Sequence, residues 1–111
     1  MSIPTTNKPV HTYRVYMRTA AGAQHQEVQV ILYEKLSTGQ VKSVGTLLFT
    51  DAESPVAELR NNAITLVYPR AAYQDAIDLL RNEEPITLRT HAQSESGWLQ
   101  SGLETVGEDD T

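Results

Sequence analysis

The chain has no cysteine, and that absence removes several kinds of chemistry at once. Disulfide staples, thiolate metal sites and a cysteine nucleophile are all excluded. A cysteine-free chain also fits a reducing compartment. The opening residues, Met1-Ser2-Ile3-Pro4-Thr5-Thr6-Asn7-Lys8, contain no apolar run of the signal-peptide kind. Nowhere do about 18 apolar residues follow one another, the length a membrane-crossing helix needs. The expectation is a soluble, cytoplasmic protein with no membrane segment.

Catalytic signatures are missing as well. There is no Gly-x-Ser-x-Gly, and Gly22, Gly39, Gly45, Gly97, Gly102 and Gly107 form no phosphate-binding loop. His11, His25 and His91 show no ligand spacing, so the expectation is no metal and no cofactor. His91 lies three residues from Ser94, but a serine nucleophile also needs a third group to orient its base. Asp75/Asp78 and Glu83/Glu84 fall on the outer side or exit turn of a helical segment. Paired carboxylates that hydrolyse glycosides face each other across a cleft, so these read as solvated charges. Enzyme is the least favoured class, and the expected activity is non-catalytic.

The chain does hold a core's worth of patterned apolar residues in 111 positions, enough for one domain without staples. Ala63 to Leu88 is the clearest unit. Ile64, Leu66 and Tyr68 alternate with Ala63, Thr65 and Val67, the period of a strand. Pro69 then suits a helix start, because its fixed φ fits the first turn and its missing N–H loses nothing there. Tyr73, Ala76, Ile77 and Leu80 make one helical stripe, and Pro85 prevents continuation past Asn82, which can end the helix in the left-handed conformation. Ile86 to His91 reads as the next strand.

Upstream, Tyr13, Val15 and Met17 alternate with Thr12, Arg14, Tyr16 and Arg18 as in a half-buried strand. Glu27–Lys35 and Val41–Thr50 flank Leu36-Ser37-Thr38-Gly39-Gln40, a tight turn signal, and together they predict a β-hairpin. Pro55 to Arg60 predicts one short helical turn, and Trp98 to Leu103 a last strand. Residues 1–9 read as a flexible N-terminal arm, 10–106 as a single α+β domain and 107–111 as a frayed acidic tail.

The predicted fold is therefore a two-layer α+β sandwich. It has a mainly antiparallel sheet of five to six strands, with one main helix over about residues 70–82 on one face and the other face open. The strands at Ile64 and Ile86 are candidates for parallel neighbours across the helix. The predicted core is Val15, Val30, Leu47, Ile64, Leu66, Tyr73, Ile77, Leu80, Ile86 and Leu88.

Charge is unevenly spread. Residues 1–50 hold five cations against two carboxylates, a net +3, while residues 51–111 hold four arginines against twelve carboxylates, a net −8. The plain account is ordinary surface charge with a solvated acidic tail. A basic half and an acidic half also favour self-association, most simply as a homodimer, or orient another protein partner. The total of −5 argues against nucleic acid.

One constellation carries a sharper expectation. Arg14, Tyr16 and Arg18 share one side of their strand, and Tyr33 and Lys35 of the following strand are placed to join them. Two aromatics and three cations on an open sheet face would suit an anionic small molecule or single-stranded nucleic acid. Against this, long amphipathic side chains commonly do no more than cover a solvated sheet face.

Overall fold

The computed structural model describes residues 3–18, 27–51, 57–60 and 63–102. In chain order these form β1 (Thr6–Val10), β2 (Thr12–Arg18), β3 (Glu27–Lys35), β4 (Val41–Phe49), β5 (Ala57–Arg60) and β6 (Ala63–Tyr68). A 3-10 turn at Arg70–Ala72 leads into α1 (Tyr73–Asn82), followed by β7 (Ile86–His91) and β8 (Ser96–Ser101). The fold is α+β and dominated by sheet. Its strands divide between two sheets instead of forming one: β2-β3-β4-β6-β5 and β1-β7-β8. Every pairing is antiparallel except that of β4 with β6.

The β3–β4 hairpin follows from its turn chemistry. Gly39 takes φ +91°, the left-handed region that favours glycine. The Leu36 amide donates to the Gln40 carbonyl at 2.7 Å, and the Gly39 amide to the Leu36 carbonyl at 2.9 Å. The register shifts between Leu32 and Tyr33, where β4 carries the extra residue Val44 as a bulge.

Pro69 precedes the helical segment at φ −65°, as its ring requires, and the first turn is 3-10 before α1 proper begins. Ile77 is buried, with Tyr73, Ala76 and Leu80 packed against the same cluster. Asn82 does not end the helix in the left-handed conformation. Glu83 does so in an extended one (φ −113°, ψ 146°), and the Glu84–Pro85 peptide is cis.

The core lies between the two sheets and under α1. Val28, Val30, Leu32, Leu47, Phe49, Ile64 and Leu66 of the larger sheet meet Leu88 of the smaller and Ile77 of the helix. The sheets approach closely at two glycines. A Cβ on Gly45 would lie 2.6 Å from Leu88 Cδ2, and one on Gly97 would fall inside contact distance of Leu66 Cδ2. Phe49 ties β4 to the helical side, stacked on Tyr68 (5.6 Å, 20°) and edge-on to Tyr73 (5.4 Å, 89°).

Several expectations are corrected. Residues 6–9, read as part of an arm, belong to β1, which pairs with β7 from Thr6↔Thr90 to Val10↔Ile86. Ile3 is buried, and the Thr90 hydroxyl reaches both the Pro4 carbonyl (2.6 Å) and the Thr6 hydroxyl (2.8 Å). Ala57–Arg60 is a strand, not a helical turn, because β6 offers it a ladder. β6 and β7 lie in different sheets, and the parallel neighbour of β6 is β4. Of the predicted core, Val15 is 37% exposed, since it sits on the marginal strand β2. Leu32 and Phe49, both 0% exposed, are core residues outside the predicted core set. The 107–111 tail lies outside the described residues.

Candidate functional site

β2 is the sequence Thr12-Tyr13-Arg14-Val15-Tyr16-Met17-Arg18, rich in the aromatic and β-branched residues that favour strands. Among the described strands it pairs with β3 alone and forms one margin of the five-stranded sheet. Its register places Tyr13 opposite Leu32, Val15 opposite Val30 and Met17 opposite Val28. Directly opposed residues of an antiparallel pair share a face, so this is the core side. Val30 and Leu32 are fully buried, whereas Val15 is 37% and Met17 81% exposed. The cover over the core side therefore fades at β3. Tyr13 still packs against the core cluster, and exposure grows toward Met17.

On the opposite face, Arg14 donates from Nη1 to the Tyr16 hydroxyl at 3.3 Å, and its Cζ lies 5.9 Å from the Tyr33 ring centroid. The hydrogen bond to Tyr16, and then the negative partial charge of both phenol groups, raise the guanidinium pKa above its ordinary value. Arg14 is thus a permanent cation held between two rings on an exposed edge. Arg18 continues the row in β2, opposite Glu27, and its side chain lies outside the described residues.

Lys35 lies at the exposed end of β3. It lines a cleft of about 420 Å³ with Val10, His11, Tyr13, Arg81 and Glu84, between the β1–β2 corner and the end of α1. The register runs without interruption from Tyr33↔Ser43 to Lys35↔Val41, so Lys35 follows Tyr33 on the same face at the far end of β3. The outer face is also not open throughout. Leu48 and Thr65, on the face shared with Arg14 and Ile31, are 3% and 5% exposed. The accessible parts of that face are the margin at β2 and the start of β4, where Val41 is 52% exposed.

Other groupings carry less. His91 Nδ1 lies 3.1 Å from the Ser94 hydroxyl and accepts from the Ser94 amide at 3.3 Å, all within the β7–β8 turn. Those are the bonds of a turn held by its own side chains. Among the described residues, no three His, Asp or Glu side chains gather as metal ligands. Cross-strand Arg89 and Trp98 form a cation–π pair, with Cζ 5.9 Å from the ring, beside an apolar pocket of about 200 Å³ lined by Tyr68, Ala76, Leu79 and Leu99. That pair was readable in principle from the register of the 86–101 hairpin. Among the described residues, no helix is long and apolar enough to cross a membrane. No protein-family model matches the sequence, and no curated protein and no solved structure matches it.

Proposed function

We propose that this chain is a non-catalytic protein-interaction domain that self-associates through β2, in a cytoplasmic setting consistent with its lack of cysteine. One observation carries this reading. The β2 edge combines backbone groups unpaired by any described strand with an exposed apolar row at Val15 and Met17. Such an edge is a template for another strand, and adding one supplies main-chain hydrogen bonds together with apolar burial. A seven-residue ladder buries less than the roughly 1,600 Å² of a standard interface, so the association is reversible.

Sedimentation velocity across protein concentration tests this directly. A mass that rises with concentration supports the reading, and a strict monomer at every concentration and salt level refutes it. Met17→Lys places a charge in the apolar row without touching the core, because Met17 is already 81% exposed. That variant stays monomeric at concentrations where the parent associates, with an unchanged monomer melting temperature.

A second reading has its own support in the Arg14 cation set between Tyr16 and Tyr33, a geometry suited to an anionic ligand. Thermal shift with nucleotides, short single-stranded RNA and acidic peptides tests it. A ligand specific for the folded form raises the transition, and Arg14→Ala removes that rise.

A further inference from the structure

We infer that two copies of the chain join β2 to β2 antiparallel about a two-fold axis through Val15, so that each copy completes the other's Arg14–Tyr16 cluster. This inference rests on the self-association reading and adds the partner's strand, direction and register.

A symmetric antiparallel pair must place one residue opposite its own copy, so the choice of register reduces to which residue lies on the axis. Centring on Val15 uses all seven residues of β2: Val15 opposes Val15, Arg14 opposes Tyr16, Tyr13 opposes Met17 and Thr12 opposes Arg18. Centring on Arg14 shortens the ladder to residues 12–16 and sets the two Arg14 side chains against each other. Centring on Tyr16 shortens it to 14–18 and sets Arg14 against Arg18. Like charges directly opposed across strands are destabilising, so both neighbouring registers combine a shorter ladder with repulsion. Of these three registers, the Val15 one alone keeps every arginine opposite a neutral side chain.

The two faces are also consistent with this register. On the core side, the rows Leu32–Tyr13 and Val28–Met17 of one copy continue into Met17–Val28 and Tyr13–Leu32 of the other. The row Val30–Val15 continues into its own copy. An apolar band then crosses the axis without interruption and covers the exposed Val15 and Met17. On the outer face, the Arg14 guanidinium, already over the Tyr33 ring, gains Tyr16 of the partner subunit on its free side. The result is a continuous sheet of about ten strands, within the size that twisted open sheets reach.

Cysteine scanning of β2 tests the register, and the chain's lack of cysteine makes each introduced thiol the only one present. In the Val15 register the two Val15 Cα atoms lie about 4.5–5.5 Å apart, within disulfide range. The two Arg14 positions, and the two Tyr16 positions, are displaced by two residues along the strands and lie about 8 Å apart, beyond that range. Under mild oxidation at a concentration where the parent associates, Val15→Cys forms a covalent dimer at least about tenfold faster than Arg14→Cys or Tyr16→Cys. Fastest linking at position 14 or 16, or equal rates at all three, overturns the register while leaving self-association intact. A parent protein that is monomeric in sedimentation at every concentration removes the self-association reading itself.

Discussion

Gly45→Ala is the sharpest probe of how the two sheets meet. Gly45 lies on β4 opposite Leu32 and beside Ile64 of β6. A Cβ there would stand 2.6 Å from Leu88 Cδ2 and 3.2 Å from the Ile64 carbonyl oxygen. The first distance is well inside van der Waals contact, and Leu88 is 0% exposed, so its side chain has no solvent side to turn toward. Inserting a methyl group into a packed core costs about 1–3 kcal/mol. The reduced freedom of alanine in the unfolded chain offsets about 0.5–1 kcal/mol of this, leaving a central net loss of about 1 kcal/mol and at most about 2.5 kcal/mol. For a chain of this size the central loss lowers the melting temperature by roughly 4–8 °C and moves the urea midpoint at constant slope. Leu88→Ala alone loses about 2–5 kcal/mol through the cavity it leaves. If the clash is with Leu88, adding Gly45→Ala to Leu88→Ala has little further effect, and the cycle shows at least about 1 kcal/mol of coupling. Additive losses, or a Gly45→Ala protein as stable as the parent, would refute this packing of β4 against β7.

Two further predictions concern the remaining ties. Thr90→Val removes the donor to the Pro4 carbonyl and the hydroxyl contact with Thr6, at a site 2% exposed. It destabilises the protein by about 1–2 kcal/mol in urea unfolding, and amide exchange speeds up first in β1; unchanged exchange at residues 6–10 would mean that β1 is not held there. Burial raises the Tyr68 phenol above the usual 10.0, because the charged form is desolvated beside Phe49. A folded-state pKa above the unfolded one contributes stability that is present below about pH 10 and lost as pH rises through the folded value. Tyr68→Phe therefore flattens the alkaline fall in stability, measured by denaturant midpoint from pH 9 upward, and an identical pH profile would contradict the burial effect.

What the chain reveals before folding follows the range of each signal. The Leu36–Gln40 turn, the Pro69 helix start and the stripe through Ile77 depend on neighbours a few residues away, and all three are found in the structure. Tyr16 and Tyr33 beside Arg14 follow from strand alternation plus one hairpin-length pairing. Pro9, Lys8 and Glu58 make the local patterns of β1 and β5 polar. Their strand state is set by partners distant in sequence, β7 for one and β6 for the other. Likewise, nothing local to Val15 marks it as exposed. Its alternation is that of a core strand, and only the sheet order places it beyond the cover.

The strand margins of the fold are not equally guarded, and the difference is what singles out β2. β1 carries Lys8 and Pro9, and proline cannot donate to a new ladder. β5 has only four residues, with Glu58 and Arg60 among them. β8 also presents an exposed aromatic, Trp98 at 37%, but it holds Gly97 beside it and Ser96, Gln100 and Ser101 along its length, which weaken its strand preference. β2 is seven residues long, contains neither proline nor glycine, and presents Val15 and Met17 beside an edge that no described strand pairs. Its only guards are Arg14 and Arg18, and these block some registers but not the one centred on Val15. A charge that repels the wrong alignments while tolerating one selects a partner register instead of preventing association. On this argument the two arginines direct how a second copy aligns, and replacing both with alanine loosens the choice of register more than it weakens the affinity.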